Sequence, residues 1–196
     1  MIAMLHGILF EKAPNSAIIE CGGVGYEVTI TIGTYNELPS IGQECRIHTR
    51  HIVREDDEQL YGFASKDERK IFDLLLAISG VGPKLAIAVL DGLSITDFRR
   101  CIVNGDAKRL GTVKGVGKKT AERIVVELKG KIDPVEAMAS PNSTSTVDAN
   151  TRDAVLALSQ LGFSQEQAYK MVLAAIEAGA DKSHTDELVR KALASR

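Results

Sequence analysis

Lys84 and Lys119 each close a Gly-Val-Gly-x-Lys sequence, Gly80-Val81-Gly82-Pro83-Lys84 and Gly115-Val116-Gly117-Lys118-Lys119, and the two copies stand 35 residues apart. The chemistry open to such residues is anion binding. Glycine adopts a positive φ and lets backbone approach a ligand closely. The N–H groups and positive dipole end at a helix N-terminus suit a phosphate. A lysine beside them adds a point charge. A single turn of this kind is more often a tight helix connection and nothing else. Two copies at a fixed offset, inside the only strongly basic segment, point to phosphate. Pro83 fits the first turn of a helix, where its missing N–H costs nothing. Lys118, Thr120 and Arg123 extend the second copy. The candidate phosphate-contacting set is therefore Gly80, Val81, Gly82, Lys84, Gly115, Gly117, Lys118, Lys119, Thr120 and Arg123.

These residues need helices to position them. Aligned over Ile71–Leu93 and Asp106–Leu128, the copies also share Leu75/Leu110, Ala86/Ala121 and Leu93/Leu128. Each runs from an apolar stretch through a Gly-x-Gly turn and a lysine into an apolar-periodic helix. That order is a helix-hairpin-helix pattern, and its duplication strengthens it. Two hairpins can hold two phosphates on a nucleic-acid backbone without reading bases.

Charge is segregated in the same way. The formal net charge of −2 over 196 residues hides a segment, 80–131, with eleven Lys/Arg against five acids. Residues 1–65 hold four basic and nine acidic residues. Segregation of this kind marks a binding face. Composition is otherwise that of a soluble globular protein, with 44% apolar residues. No apolar run reaches the roughly 18 residues of a membrane span. The N-terminus lacks a basic n-region, so the cytoplasm is expected. Cys21, Cys45 and Cys101 are an odd, widely spaced set, expected as buried thiols rather than a disulfide framework or a metal site. No metal or cofactor is expected.

Residues 1–64 read as five short strands, Ile2–Glu11, Ser16–Glu20, Val24–Ile32, Glu44–Val53 and Gln59–Phe63, punctuated at Pro14-Asn15, Gly22-Gly23 and Pro39 to Gly42. Five such strands predict a small closed barrel, with an OB-fold leading. Helical spacing begins with Asp67–Ile78 and continues to Lys131, with turns at Gly92, Gly105 and Gly111. Residues 133–150, with two prolines and many small polar residues, read as a flexible linker. Beyond it, Asp153–Leu161, Gln165–Ala178 and Asp186–Ala194 predict three helices. Ser164 with Gln167 forms a capping box, and Gly179 ends the second helix. The expected class is α+β multidomain: an OB-fold barrel over 1–64, an all-α tandem helix-hairpin-helix unit over 65–132, the linker, and a small three-helix bundle over 151–196.

Three further constellations bear on function. Gly117-Lys118-Lys119-Thr120 is not a Walker A loop: Gly111 and Gly117 have five residues between them, a second lysine precedes Thr120, and no strand leads in. Arg54-Glu55-Asp56-Asp57-Glu58 sets four acids in a row between predicted strands, by default a solvated hairpin tip. Near DNA, such acids repel phosphate and shape where strands run. Single-strand binding by the barrel needs aromatic platforms and a basic groove, whereas the chain has no Trp and this region is acidic. In the last unit, Leu158, Leu161, Phe163 and Leu193 are either core or an exposed patch for a partner.

The order of units closely resembles the RuvA family, the Holliday-junction-binding subunit of the bacterial branch-migration motor, over essentially the whole chain. The most specific stretches are Gly22-Gly23-Val24-Gly25-Tyr26-Glu27-Val28, Arg54-Glu55-Asp56, Leu60-Tyr61-Gly62-Phe63, Gly80 to Ala86 and Gly117 to Arg123. The resemblance implies a non-catalytic homotetramer holding a four-way DNA junction in an open, roughly square form, with one tetramer or two face to face on the DNA. It implies that the hairpin backbones grip the arms and that Glu55 and Asp56 form an acidic pin at the tetramer centre. It implies as partners the hexameric ATPase RuvB, docked on the C-terminal unit, and the resolvase RuvC. Two other readings are an enzyme, either a helix-hairpin-helix nuclease or a base-excision glycosylase, for the second of which Val125–Lys131 offers no obvious catalytic candidate, and a plain duplex-binding module.

Overall fold

The structure, a computed structural model, describes residues 1–132, 149–181 and 183–194. Five strands, β1 (Met4–Ala13), β2 (Ser16–Cys21), β3 (Val24–Ile30), β4 (Glu44–Val53) and β5 (Glu58–Phe63), close a barrel in the order β1-β2-β3-β5-β4. Neighbours are antiparallel except β3 with β5, which run parallel. Side chains alternate across each strand, so Leu5, Leu9, Ala17, Ile19, Val28, Ile30, Cys45 and Ile47 fill the interior. The β2–β3 turn uses Gly22 and Gly23, both at positive φ, the backbone a two-residue hairpin requires.

The strand expected over Val24–Ile32 ends at Ile30, and helix α1 (Ile32–Glu37) follows. Thr31 caps it by accepting from the Thr34 N–H at 3.0 Å. The β-branched run from Val28 to Ile32 masks this short helix in the sequence. Strand β1 is displaced by two residues from Ile2–Glu11, and an irregularity between Leu9 and Glu11 lets it bend and continue to Ala13.

The helical unit comprises α2 (Lys66–Leu76), α3 (Pro83–Gly92), α4 (Ile95–Asn104), α5 (Ala107–Leu110) and α6 (Lys118–Leu128). Ser65, Ser94 and Asp106 cap α2, α4 and α5 by accepting first-turn N–H groups, and Gly105 at φ 72° ends α4. Leu75, Leu110, Ala86, Ala121, Leu93 and Leu128, shared between the two sequence copies, are all buried in one core. That core reaches into the barrel, because Tyr61 and Phe63 of β5 lie 5.1 and 4.9 Å from the Phe72 ring of α2. The Glu68 carboxylate, buried, accepts from the hydroxyls of Thr31 and Thr34. The Ile32 N–H donates to Asp91 at 2.8 Å. These contacts fix the hairpins relative to the barrel.

In the C-terminal unit, α7 (Ala149–Gln160), α8 (Gln165–Glu177) and α9 (Thr185–Ala194) surround a core of Ala154, Val155, Leu158, Ala168, Val172, Ala175, Leu188 and Ala192. Ser164 and Gln167 make the reciprocal capping box, and Gly179 follows α8 at φ 83°. Of the proposed linker, 133–148 lies outside the described residues, and Ala149 and Asn150 already belong to α7.

Candidate nucleic-acid interface

The two Gly-Val-Gly turns share three pairs of equivalent backbone bonds. The Ile78 and Val113 N–H groups donate to Leu75 and Leu110, those of Val81 and Val116 to Ile78 and Val113, and those of Ala86 and Ala121 to Gly82 and Gly117. In each pair the residue numbers differ by the repeat offset. Val81 and Val116 point inward and are buried, so each turn is pinned to the core at its middle residue. Val81, expected among the phosphate contacts, can offer only its main chain.

The two glycines of each turn have different physical reasons. Gly80 and Gly115 lie at φ 86° and 89°, where a Cβ is strained. Gly82 and Gly117 sit at φ −93° and −76°, which any residue adopts, and each is the N-cap of the following helix. A Cβ at either would meet no protein atom within 4 Å. Nothing in the fold demands glycine there. What fits is open space left for a ligand's close approach. Neither N-cap supplies a side chain to the helix end, so α3 and α6 point uncapped first turns outward. Pro83 removes one donor from α3, whereas Lys118 keeps it in α6.

Lys84, Lys118 and Lys119 are exposed beside these turns, and Thr120 is half-buried. Arg123 does more than add charge. Its Nη1 donates to the Ser79 carbonyl at 2.9 Å and lies 3.7 Å from the position of a Cβ on Gly80. In return, Leu85 Cδ1 lies 3.4 Å from a Cβ position on Gly115. Each hairpin's second helix thus touches the other's first glycine. Sequence reasoning missed this link; the available sign was that Arg123 aligns with Ala88 and so breaks the repeat.

Glu55 and Asp56 are exposed at the tip joining β4 to β5, where the Arg54 N–H donates to the Asp57 carbonyl at 2.8 Å. Glu58 belongs to β5, and its carboxylate lies 3.5 Å from His51 Nε2. In the last unit the four expected partner residues divide. Leu158 is fully buried and Phe163 packs against the same core, the first of the two alternatives open in the sequence. Leu161 and Leu193 are 62% and 39% exposed, and Leu156 and Leu173, which the sequence reading passed over, are exposed as well. Cys45 and Cys101 are buried, and burial pushes both thiols upward in pKa, while Cys21 is only half-buried. Among the described residues, no group of three His, Cys, Asp or Glu is placed to hold a metal ion, and no helix is long and apolar enough to cross a membrane.

Comparison with known proteins covers every one of these units. Residues 1–62 match the RuvA N-terminal domain, 72–131 a SAM-like helix-hairpin-helix tandem, and 149–195 the RuvA C-terminal domain. The Holliday junction branch migration complex subunit RuvA of Pseudomonas aeruginosa is 43% identical over 200 aligned residues, 98% of each chain. Its counterparts in Salinibacter ruber and Marinobacter nauticus are each 40% identical, over 98% of this chain and 98% and 97% of theirs. Identity at this level from end to end, on a barrel and a paired hairpin unit of the expected kind, means that the chain belongs to the RuvA family.

Proposed function

We propose that this protein binds four-way DNA junctions by their phosphates, without catalysis, and hands them to a motor for branch migration. The observation that carries the reading is the pair of matching turns, each ending in a glycine that the fold does not need at an uncapped helix N-terminus. Two such turns, with Lys84, Lys118 and Lys119 beside them, give sequence-independent affinity. Branch migration passes through any sequence, so a grip on backbone suits it. Glu55 and Asp56, exposed at a hairpin tip, act as the pin that opposes strands collapsing through the crossover. The working form is a homotetramer, alone or as two face to face.

The C-terminal unit docks on the RuvB ATPase through Leu161 and Leu193, and RuvC acts on the same complex. The relatives' name, a branch migration complex subunit, supports partners of this kind. The test is a four-way junction carrying fluorophores on two arms. The protein should move the arms to the separation of an open square, with strands uncut in Mg²⁺ and ATP unconsumed. Arms left in their stacked positions, or cleavage that survives repurification, would overturn the proposal.

A further inference from the structure

The acidic barrel carries its few cations on one line. Residues 1–64 hold four Lys/Arg. Three of them, Arg46, Arg50 and Arg54, occur on β4 or just beyond it, while the fourth, Lys12, donates to the Leu38 carbonyl and covers the Tyr35 ring. Cys45, Ile47 and Thr49 point into the barrel, so Arg46, His48 and Arg50 share its outer face. Helix α2 lies alongside, with Arg50 Nε 3.3 Å from Asp73. Lys66, Arg69, Lys70, Asp73 and Leu74 of α2, with Ala77 at its C-cap, line an open cleft of about 300 Å³.

The neighbouring acids are paired or buried, Glu44 on the same strand face as Arg46. Asp67 pairs with Arg99 at 3.2 Å, Glu44 with His6 at 3.1 Å, and Glu68 is buried against Thr31 and Thr34. Among the described residues that line the cleft, Asp73 is the one carboxylate. Arg69 is anchored by donating to the Ala3 carbonyl at 3.2 Å. The concentration of charge registers on His48. Partial burial first, and then Arg69, Lys66 and Arg46, lower its pKa from the ordinary 6.5.

The line also has two defined ends. Arg54 leads straight into Glu55 and Asp56. Helix α2 stops at Leu76, with Ala77 as its C-cap, just before the first hairpin turn. From Arg46 to Arg54 the strand direction covers about 27 Å at about 3.4 Å per residue, the rise of roughly eight nucleotides in one duplex strand.

We propose that Arg46, Arg50, Lys66, Arg69 and Lys70 form a second phosphate-binding track, separate from the Gly-Val-Gly turns, which carries a DNA backbone between the first hairpin and the acidic tip. The track rests on the junction-binding reading and extends its footprint. Strands held there would be led toward the pin rather than left free beyond the hairpin.

The test uses the full chain with Arg46→Gln, Lys66→Gln and Lys70→Gln combined. Arg50 and Arg69 are kept because their ion pair with Asp73 and hydrogen bond to the Ala3 carbonyl join α2 to the barrel. Affinity for a four-way junction and for linear duplex is measured across a salt series, with mass by sedimentation and melting on the same samples. The slope of log affinity against log salt should become shallower by about 2 to 3, at about 0.9 for each phosphate that the protein no longer neutralises, with mass and melting unchanged. An unchanged slope would overturn the track. A lowered mass would overturn it too and make this face an interface between copies of the chain. If the unaltered protein shows no preference for junction over duplex, the junction reading fails by itself, while the slope on duplex still decides the track.

Discussion

Arg123 on α6 donates from Nη1 to the Ser79 carbonyl at 2.9 Å, tying the second hairpin's helix to the first hairpin's turn. The two turns therefore work as one rigid pair rather than as two independent grips. A guanidinium has five donors in a fixed fork, so this bond leaves others for phosphate.

Replacing Arg123 with Ala should cost about 1 kcal/mol, the worth of an ordinary hydrogen bond, because the side chain is exposed. Amide hydrogen exchange at Val81 and Gly82 should quicken. Arg123→Lys should keep the salt dependence of DNA binding yet quicken exchange to a similar degree. Exchange unchanged in both variants would reduce Arg123 to a phosphate contact alone.

The glycines separate strain from approach. Gly80→Ala or Gly115→Ala should lower stability by about 1–2 kcal/mol, since a Cβ is disfavoured at these φ values. Gly82→Ser and Gly117→Ser should leave the melting temperature unchanged or slightly higher, because serine is a favoured N-cap. They should nevertheless weaken DNA binding by filling the space in front of the helix. Binding retained by the double serine variant would show that DNA does not approach there.

Glu68 links stability to pH. Burial pushes its carboxyl above the ordinary 4.5, outweighing the Thr31 and Thr34 hydroxyls, which pull it down. The folded state therefore favours the protonated acid. Its stabilising contribution is complete below pH 4.5 and is lost as pH rises through the folded value. Glu68→Gln removes that loss, so urea unfolding should show the variant gaining on the unaltered protein as pH rises above 4.5. A difference that is flat with pH would mean the carboxyl titrates alike in both states.

The exposed and buried leucines of the last unit should part company. Leu158→Ala should destabilise the unit by about 2–5 kcal/mol, because Leu158 is fully buried. Leu161→Ala with Leu193→Ala should shift stability by no more than about 0.5 kcal/mol per site, yet remove stimulation of the RuvB ATPase. Stimulation that survives would place the motor contact elsewhere.

The repeat was legible because it has two causes that coincide. Leu75/Leu110, Ala86/Ala121 and Leu93/Leu128 recur for the core, and Gly80/Gly115 recur for the turn. Strands β2 and β4 were readable to within a residue from their apolar runs. Helix α1 was not, because Ile32-Gly33-Thr34 carries strand-like residues and is held by a tertiary contact with Asp91. The Arg123–Ser79 bond spans 44 positions, and its one sign is that Arg123 breaks the repeat at the place of Ala88. The sequence also could not divide strain at Gly80 from open space at Gly82, since φ belongs to the folded turn. Leu158 and Leu161 are three residues apart on apolar spacing, but α7 ends at Gln160 and turns Leu161 outward.

The most direct measurement is a competition in which a labelled four-way junction is held by the protein while unlabelled junction or linear duplex of the same sequences is titrated in, at several salt concentrations and with the mass of the complex determined. Junction should displace the label at far lower concentration than duplex, whatever the sequence, and both affinities should fall steeply with salt. Equal displacement by linear duplex would contradict it and leave a plain duplex-binding module.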